Sequence, residues 1–418
     1  MTLAILNTVL ANGGDAAILD GMLKALRQAA QGELHPIVLD DHPATTAPLY
    51  PDLDIRPSPS ALAWPPDASG LGARVRRRLA WETGRRRALR EAEAIGDDRV
   101  VDGPFAAPLR ALAEAEAVVS TGGTYLAGTY WLGPRLLTFD LVRALGRPYA
   151  LYTQSVGPFD GSPTERLAEV FRQARVTLVR DARSRREIAQ IAPGVDAQVR
   201  ADAAFALADP EILAAAAQRP WPATPTVIVS VREWSHFRQG TAEAGMARYL
   251  ESVAGLVAHL VRQRGARVCC LSTCQGTPGY RYDDAAVARR MVALLPDDVR
   301  PHVEVEARHH TPGQILAAYG AADLVVATRM HAAILALCAG TPALPIAYEF
   351  KTAELFGALG LGDWVTDIET VTPEGFVATA ERVRAALPAA RPALFAAVER
   401  MRADAMGAGA VVASALSL

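Results

Sequence analysis

The chain has 418 residues, half of them hydrophobic and 21% charged, which excludes a disordered polypeptide and exceeds what one ordinary core holds. A formal net charge of −2 gives no reason to expect nucleic acid as a partner. Cys269, Cys270, Cys274 and Cys338 form no CxxC pair and no Cys/His ligand spacing, so reduced, buried thiols in a cytoplasmic protein are expected, with no metal site. No basic leader opens the chain, and no run of about 18 apolar residues could span a bilayer.

LAILNTV reads as a strand and NGGD as a turn. Asp15 is placed to cap a helix with Ile18, Leu19, Met22, Leu23 and Leu26 on one face. Residues 41–100 are off-pattern: 41–70 are rich in proline, and eight arginines lie between Arg74 and Arg90. One reading is a solvated helix face. The other is peripheral membrane contact through a basic patch for anionic lipid or a lipid-linked substrate, with Val75, Leu79 and Trp81 as a weak apolar side.

The strand–loop–helix pattern then resumes. AVVS leads into a loop at Gly122, Gly123 and Thr124, where missing side chains let backbone amides approach a ligand. PYALYTQS is the next strand. VTLVR ends at Arg180, Asp181 and Arg183, and Ser184 with Glu187 has the spacing of a capping box. Short β-rich runs alternating with helical patterns predict parallel sheets covered by helices on both faces.

Around 206–226 four prolines and no strand pattern mark a boundary. The expected domains are 1–215 and 216–418, with helices from about 373 packing back across the boundary. In the second half VIVSV ends at Arg232 and Glu233, and DLVVAT ends at Thr328, a good N-cap for the helix that follows. Arg329 and His331 then fall in a first turn whose open backbone N–H groups favour an anion. Histidine suits proton transfer near neutral pH, and arginine grips carboxylate or phosphate with two parallel hydrogen bonds. Only two of the 43 basic residues are lysines, Lys24 and Lys351. Lys351, after ALPIAY, is a compact charge that a planar guanidinium does not replace. GxGxxG, the Walker lysine, HExxH and GxSxG are absent, and His309–His310 reads as a surface pair.

TRMHAAILALCAGTPALPIAYEFKT resembles the signature of the polysaccharide pyruvyl transferases, usually Ser-Arg-Leu-His, a helix, Ala-Gly-x-Pro, then Tyr and Lys. NGGDAAI, GGTYL, TQSVGPF, VRDARS, DAAFAL and VSVRE follow the family's order between residues 12 and 352, with Thr328 for serine and Met330 for leucine as departures. The resemblance implies two doubly wound Rossmann-like α/β domains facing a cleft, like the GT-B glycosyltransferases, with acceptor on the N-terminal and donor on the C-terminal side. It implies transfer of pyruvate from phosphoenolpyruvate to a sugar acceptor, free or lipid-linked, as a cyclic ketal, at the inner face of the membrane or in the cytoplasm. His331 and Arg329 are then the catalytic candidates. Arg180, Lys351 and Arg232, with the Gly122–Gly123–Thr124 loop, bind substrate, and no metal or organic cofactor is required. The rival on this fold is a nucleotide-sugar glycosyltransferase, whose ribose-holding glutamate would fall at Leu335.

Overall fold

The computed structural model describes residues 1–63, 71–128, 130–161 and 163–418, and for 71–74 the backbone alone. Residues 64–70 of the proline-rich stretch and the Arg74 side chain lie outside the described residues. The chain divides into two compact units, Met1–Leu10 with Ile18–Ala206 and Asp404–Leu418, and Ala11–Ala17 with Leu207–Ala403.

The first unit carries β1 (Thr2–Leu6), β2 (His35–Asp40), β3 (Asp54–Pro57), β4 (Ala117–Ser120), β5 (Gly123–Leu126), β6 (Tyr149–Val156), β7 (Val176–Val179) and β8 (Ala197–Val199). They pair in the order β3-β2-β1-β4-β6-β7-β8, all parallel, with β5 added beside β6. The runs AVVS and YALYTQSV are buried at every position, as strands covered on both faces must be.

The second unit carries β9 (Thr226–Ser230), β10 (Arg267–Cys270), β11 (Val303–Val305), β12 (Leu324–Ala327), β13 (Ala343–Ala347) and β14 (Thr366–Asp367). Their order, β11-β10-β9-β12-β13-β14, is again wholly parallel and reverses direction between β9 and β12. Ligands of such sheets bind beyond the carboxyl ends of the strands at that reversal.

Several local expectations are corrected. The chain passes from the first unit to the second at Ala206/Leu207, at the start of the 206–226 stretch. The helix Pro210–Gln218 belongs with the second unit, where Gly340 lies so close that a Cβ would meet Ala216 Cβ at 2.9 Å. A single helix, Pro373–Leu416, replaces the several expected at the C-terminus, and its last turns from Asp404 belong with the first unit. The first long helix starts at Gly13, and Asn12 takes the capping place expected of Asp15: its Oδ1 accepts from the Gly14 N–H at 3.0 Å while its Nδ2 donates to Asp15.

Asp181, not Ser184, caps the helix Ala182–Ile191, because the Ser184 hydroxyl is taken up by the Val156 N–H. Gly123 and Thr124 open β5 and are not a loop. Trp81 is buried against Trp131 (ring centroids 4.8 Å apart) and supplies no outward apolar side. His309 is half-buried, with Nδ1 3.1 Å from the Thr277 hydroxyl.

Candidate active site

Three strand ends of the second unit converge on Arg329. Thr328 does not cap the helix Met330–Cys338. The chain is still extended at Arg329 (φ −81°, ψ 130°), which is itself the N-cap residue without a side-chain cap. Thr328 is fully buried, and its hydroxyl pairs with the Tyr249 hydroxyl at 2.8 Å. Arg329 therefore turns inward and is 9% exposed. Its Nη2 donates to Asp284 Oδ1 at 2.7 Å and its Nε to Oδ2 of the same carboxylate.

Asp284 sits at the start of the helix Asp284–Ala293, next to Asp283, whose side chain does the capping. The Ser272 hydroxyl beyond β10 donates to Asp284 Oδ2 at 2.6 Å and lies 2.8 Å from the Ser230 hydroxyl on β9. A polar chain thus crosses the sheet's reversal point. Burial opposes the charge on Arg329, and the Asp284 carboxylate more than offsets that, holding the guanidinium firmly protonated. Asp284 uses two of the five guanidinium N–H groups.

The surroundings are aromatic and cationic. Arg329 lies 5.8 Å from the Tyr282 ring centroid. Beyond β9, Arg232 lies over the Tyr348 ring at 4.1 Å and the Trp234 ring at 5.2 Å, and Glu233 beside it pairs with Arg290. Beyond β13, Lys351 stands in the first turn of the helix Phe350–Ala358, with Nζ 3.1 Å from Glu349. Burial pushes the Cys274 thiol up to about 12, which makes it an inert donor to Asn12 Oδ1 and no nucleophile.

His331 follows within the same helix turn as Arg329 and faces the strip Ala11–Ala17 of its own unit. A Cβ on Gly14 would stand 2.8 Å from His331 Cβ and Nδ1, so Gly14 exists to let the two segments touch. Gly13 N donates to Thr273 O at 2.7 Å in the same contact. The second unit thus gathers His331, Arg329, Arg232 and Lys351 near the carboxyl ends of β9, β12 and β13.

In the first unit, Arg180 follows β7 and is nearly buried. Its Nη1 donates to Asp202 at 2.6 Å, its Nε to the Ser155 hydroxyl at 2.8 Å and its Nη2 to Thr124 Oγ1 at 3.1 Å. Asp181 accepts from the same Ser155 hydroxyl at 2.7 Å. Gly122 is demanded by packing, since a Cβ would meet Ile18 Cγ2 at 2.9 Å, and Gly123 by its φ of +131°. Sequence reasoning missed Asp284, Asp202, Ser155 and Tyr282. The pair Asp283–Asp284 held a signal: one helix start needs one capping carboxylate, and the second is spare.

No group of three His, Cys, Asp or Glu side chains able to hold a metal occurs among the described residues, and no helix among them is long and apolar enough to cross a membrane.

The two parallel-sheet units are of the GT-B class. Across 100% of this chain and 98% of the other, the structure matches the trehalose-6-phosphate synthase OtsA with a TM-score of 0.57 at 12% identity. It matches the UDP-GlcNAc 2-epimerase of Methanocaldococcus jannaschii with a TM-score of 0.53 at 10% identity, over 91% and 92% of the two chains. Likeness at these identities defines the fold alone. The polysaccharide pyruvyl transferase family model matches residues 12–349, and the chain belongs to that family. The amylovoran biosynthesis protein AmsJ of Erwinia amylovora is 27% identical over 279 residues, an alignment that spans 64% of this chain and 65% of AmsJ.

Proposed function

We propose that the protein transfers pyruvate from phosphoenolpyruvate to two hydroxyls of a sugar in a polysaccharide or glycolipid precursor, forming a cyclic ketal and releasing phosphate. The observation that carries this reading is His331 in one helix turn with the Asp284-held Arg329, in a unit whose neighbouring strand ends bear Arg232 and Lys351. The donor carries both a carboxylate and a phosphate, and several cations balance it.

In this scheme His331 delivers the proton that turns the donor's methylene into a methyl, which leaves C2 electrophilic. One sugar oxygen bonds to C2 and gives up its proton. The C2–O bond to phosphate breaks, and the second sugar oxygen replaces it, losing its own proton. Arg329, Arg232 and Lys351 hold the anionic donor in the second unit. Arg180 and Thr124 serve substrate in the first. The scheme draws on no metal or organic cofactor.

A nucleotide-sugar transferase on the same fold is disfavoured by Leu335, an aliphatic side chain with no exposure where that class carries a ribose-binding glutamate. The deciding experiment incubates the protein with phosphoenolpyruvate and a panel of sugar acceptors. Acceptor-dependent phosphate release, with a mass gain of one pyruvate less one water, is expected. Transfer from a UDP-sugar with no use of phosphoenolpyruvate would overturn the assignment.

A further inference from the structure

We infer that the outward stripe of the helix Leu71–Gly96 is a docking surface for an anionic lipid bilayer. The inner face of this helix is fixed along its length. Trp81 is buried against Trp131, and Ala88 and Ala92 have no exposure. Gly84 lies close to Ala63, and a Cβ on Gly96 would stand 2.7 Å from the Ala144 carbonyl oxygen. The helix is therefore a prebuilt platform that does not have to fold on binding.

Its outer face combines two features that a merely solvated helix does not need together. Val75 and Leu79 are 59% and 63% exposed. At about 100° per residue, Val75, Leu79, Arg86 and Arg90 fall within about 60° of one another, a single stripe roughly 22 Å long. Arg76 and Arg78 flank it. Residues 75–90 hold seven arginines and one glutamate. Of those arginines, Arg85 pairs with Glu82 at 3.0 Å, Arg87 pairs with Glu91 at 2.9 Å, and Arg77 is also engaged. Arg76, Arg78, Arg86 and Arg90 are exposed and make no ion pair among the described residues.

A stripe with two aliphatic side chains at one end and unpaired guanidinium groups along the rest matches a phospholipid interface. The aliphatic pair enters the headgroup–acyl boundary, and the arginines meet lipid phosphates. A solvated face has no use for Val75 and Leu79, and a polyanion such as nucleic acid has no place for them. This inference is independent of the donor chemistry, and its test does not use turnover as the readout.

The full chain is sedimented with vesicles of equal parts phosphatidylglycerol and phosphatidylcholine, and with vesicles of phosphatidylcholine alone. Binding to the anionic vesicles only, weakening as salt rises, is expected. Each arginine near an anionic leaflet is worth about fivefold in partition. The variant with Arg76, Arg78, Arg86 and Arg90 all replaced by Gln should lose roughly a hundredfold or more. Val75→Ser with Leu79→Ser should lose about tenfold. All these side chains are exposed, so both variants should keep the parental melting temperature. Equal sedimentation of parent and Gln variant overturns the inference, as does no sedimentation of the parent. A parent that migrates as a dimer, becomes monomeric with Val75→Ser and Leu79→Ser, and ignores vesicles also overturns it, because the stripe is then a contact between copies.

Discussion

Asp284 holds Arg329 from the far side of the sheet's reversal point, through Nε and Nη2 at once, with both side chains buried. Removing one partner of a buried pair strands the other charge. Arg329→Ala should therefore lower unfolding stability by about 3–5 kcal/mol, with Asp284→Asn losing less because its shape and a hydrogen bond to Arg329 remain. Urea denaturation measures both, and an unchanged midpoint for Arg329→Ala would show that the pair does not secure this strand end. If Arg329 also grips the donor, Arg329→Lys, read on folded protein, should weaken phosphoenolpyruvate binding about tenfold by calorimetric titration.

His331 is proposed to move a proton only during reaction. His331→Gln should keep most donor affinity while losing roughly 10²–10⁴ in single-turnover rate. Gly14→Ala is a second probe of the same position, because its new methyl would sit 2.8 Å from the imidazole Nδ1 and displace the ring. It should reproduce the rate defect with the histidine intact. Near-parental rates in both folded variants would move the acid/base role to Asp181 or Glu233.

Gly21 lies where the first long helix crosses the 203–207 turn. A Cβ there would stand 2.0 Å from the Ala203 carbonyl oxygen and 2.8 Å from its carbon. Backbone cannot step aside as a side chain does, so Gly21→Ala should destabilise by at least about 2–3 kcal/mol, although alanine is the better helix former. A thermal melt equal to the parent's would refute this packing.

Asp20, one residue earlier, gives a pH-dependent effect. Burial pushes its carboxyl up to about 6, against the pull of Arg27. The folded protein therefore prefers the protonated form, and the ionised form destabilises it above that pH. The penalty shrinks as pH falls through 6 and is gone below the ordinary carboxylate range. Asp20→Asn should raise stability by about 1–3 kcal/mol at pH 8 and by nothing at pH 3.5. Denaturant midpoints at the two pH values test the sign, and a gain that is larger in acid contradicts it.

Much of the fold was legible because it rests on short-range patterns. Apolar runs such as AVVS, YALYTQSV and LVVA are buried on both faces wherever they occur, so their composition alone marks parallel strands. The alternation of such runs with helical periodicity is a property of neighbouring residues, and two doubly wound sheets follow from it. The helix after β12 was likewise readable, although it starts one residue later than a cap at Thr328 implies, as were the strand ends that bear Arg180, Arg232, Arg329 and Lys351.

What those side chains face was decided by residues far away in sequence. Arg329 looks like an open first-turn cation until Asp284, 45 positions earlier, takes two of its N–H groups. Arg180 meets Asp202 22 positions on, and Thr328 gives its hydroxyl to Tyr249 and not to the helix it precedes. Trp81 reads as the apolar side of a basic helix until Trp131 covers it, which leaves Val75 and Leu79 outside. Local periodicity sets which element a residue joins, because helices and strands are built from near neighbours. Which charge is neutralised and which side chain is covered depends on the partner that a crossing strand or helix brings up, and only the tertiary structure determines that.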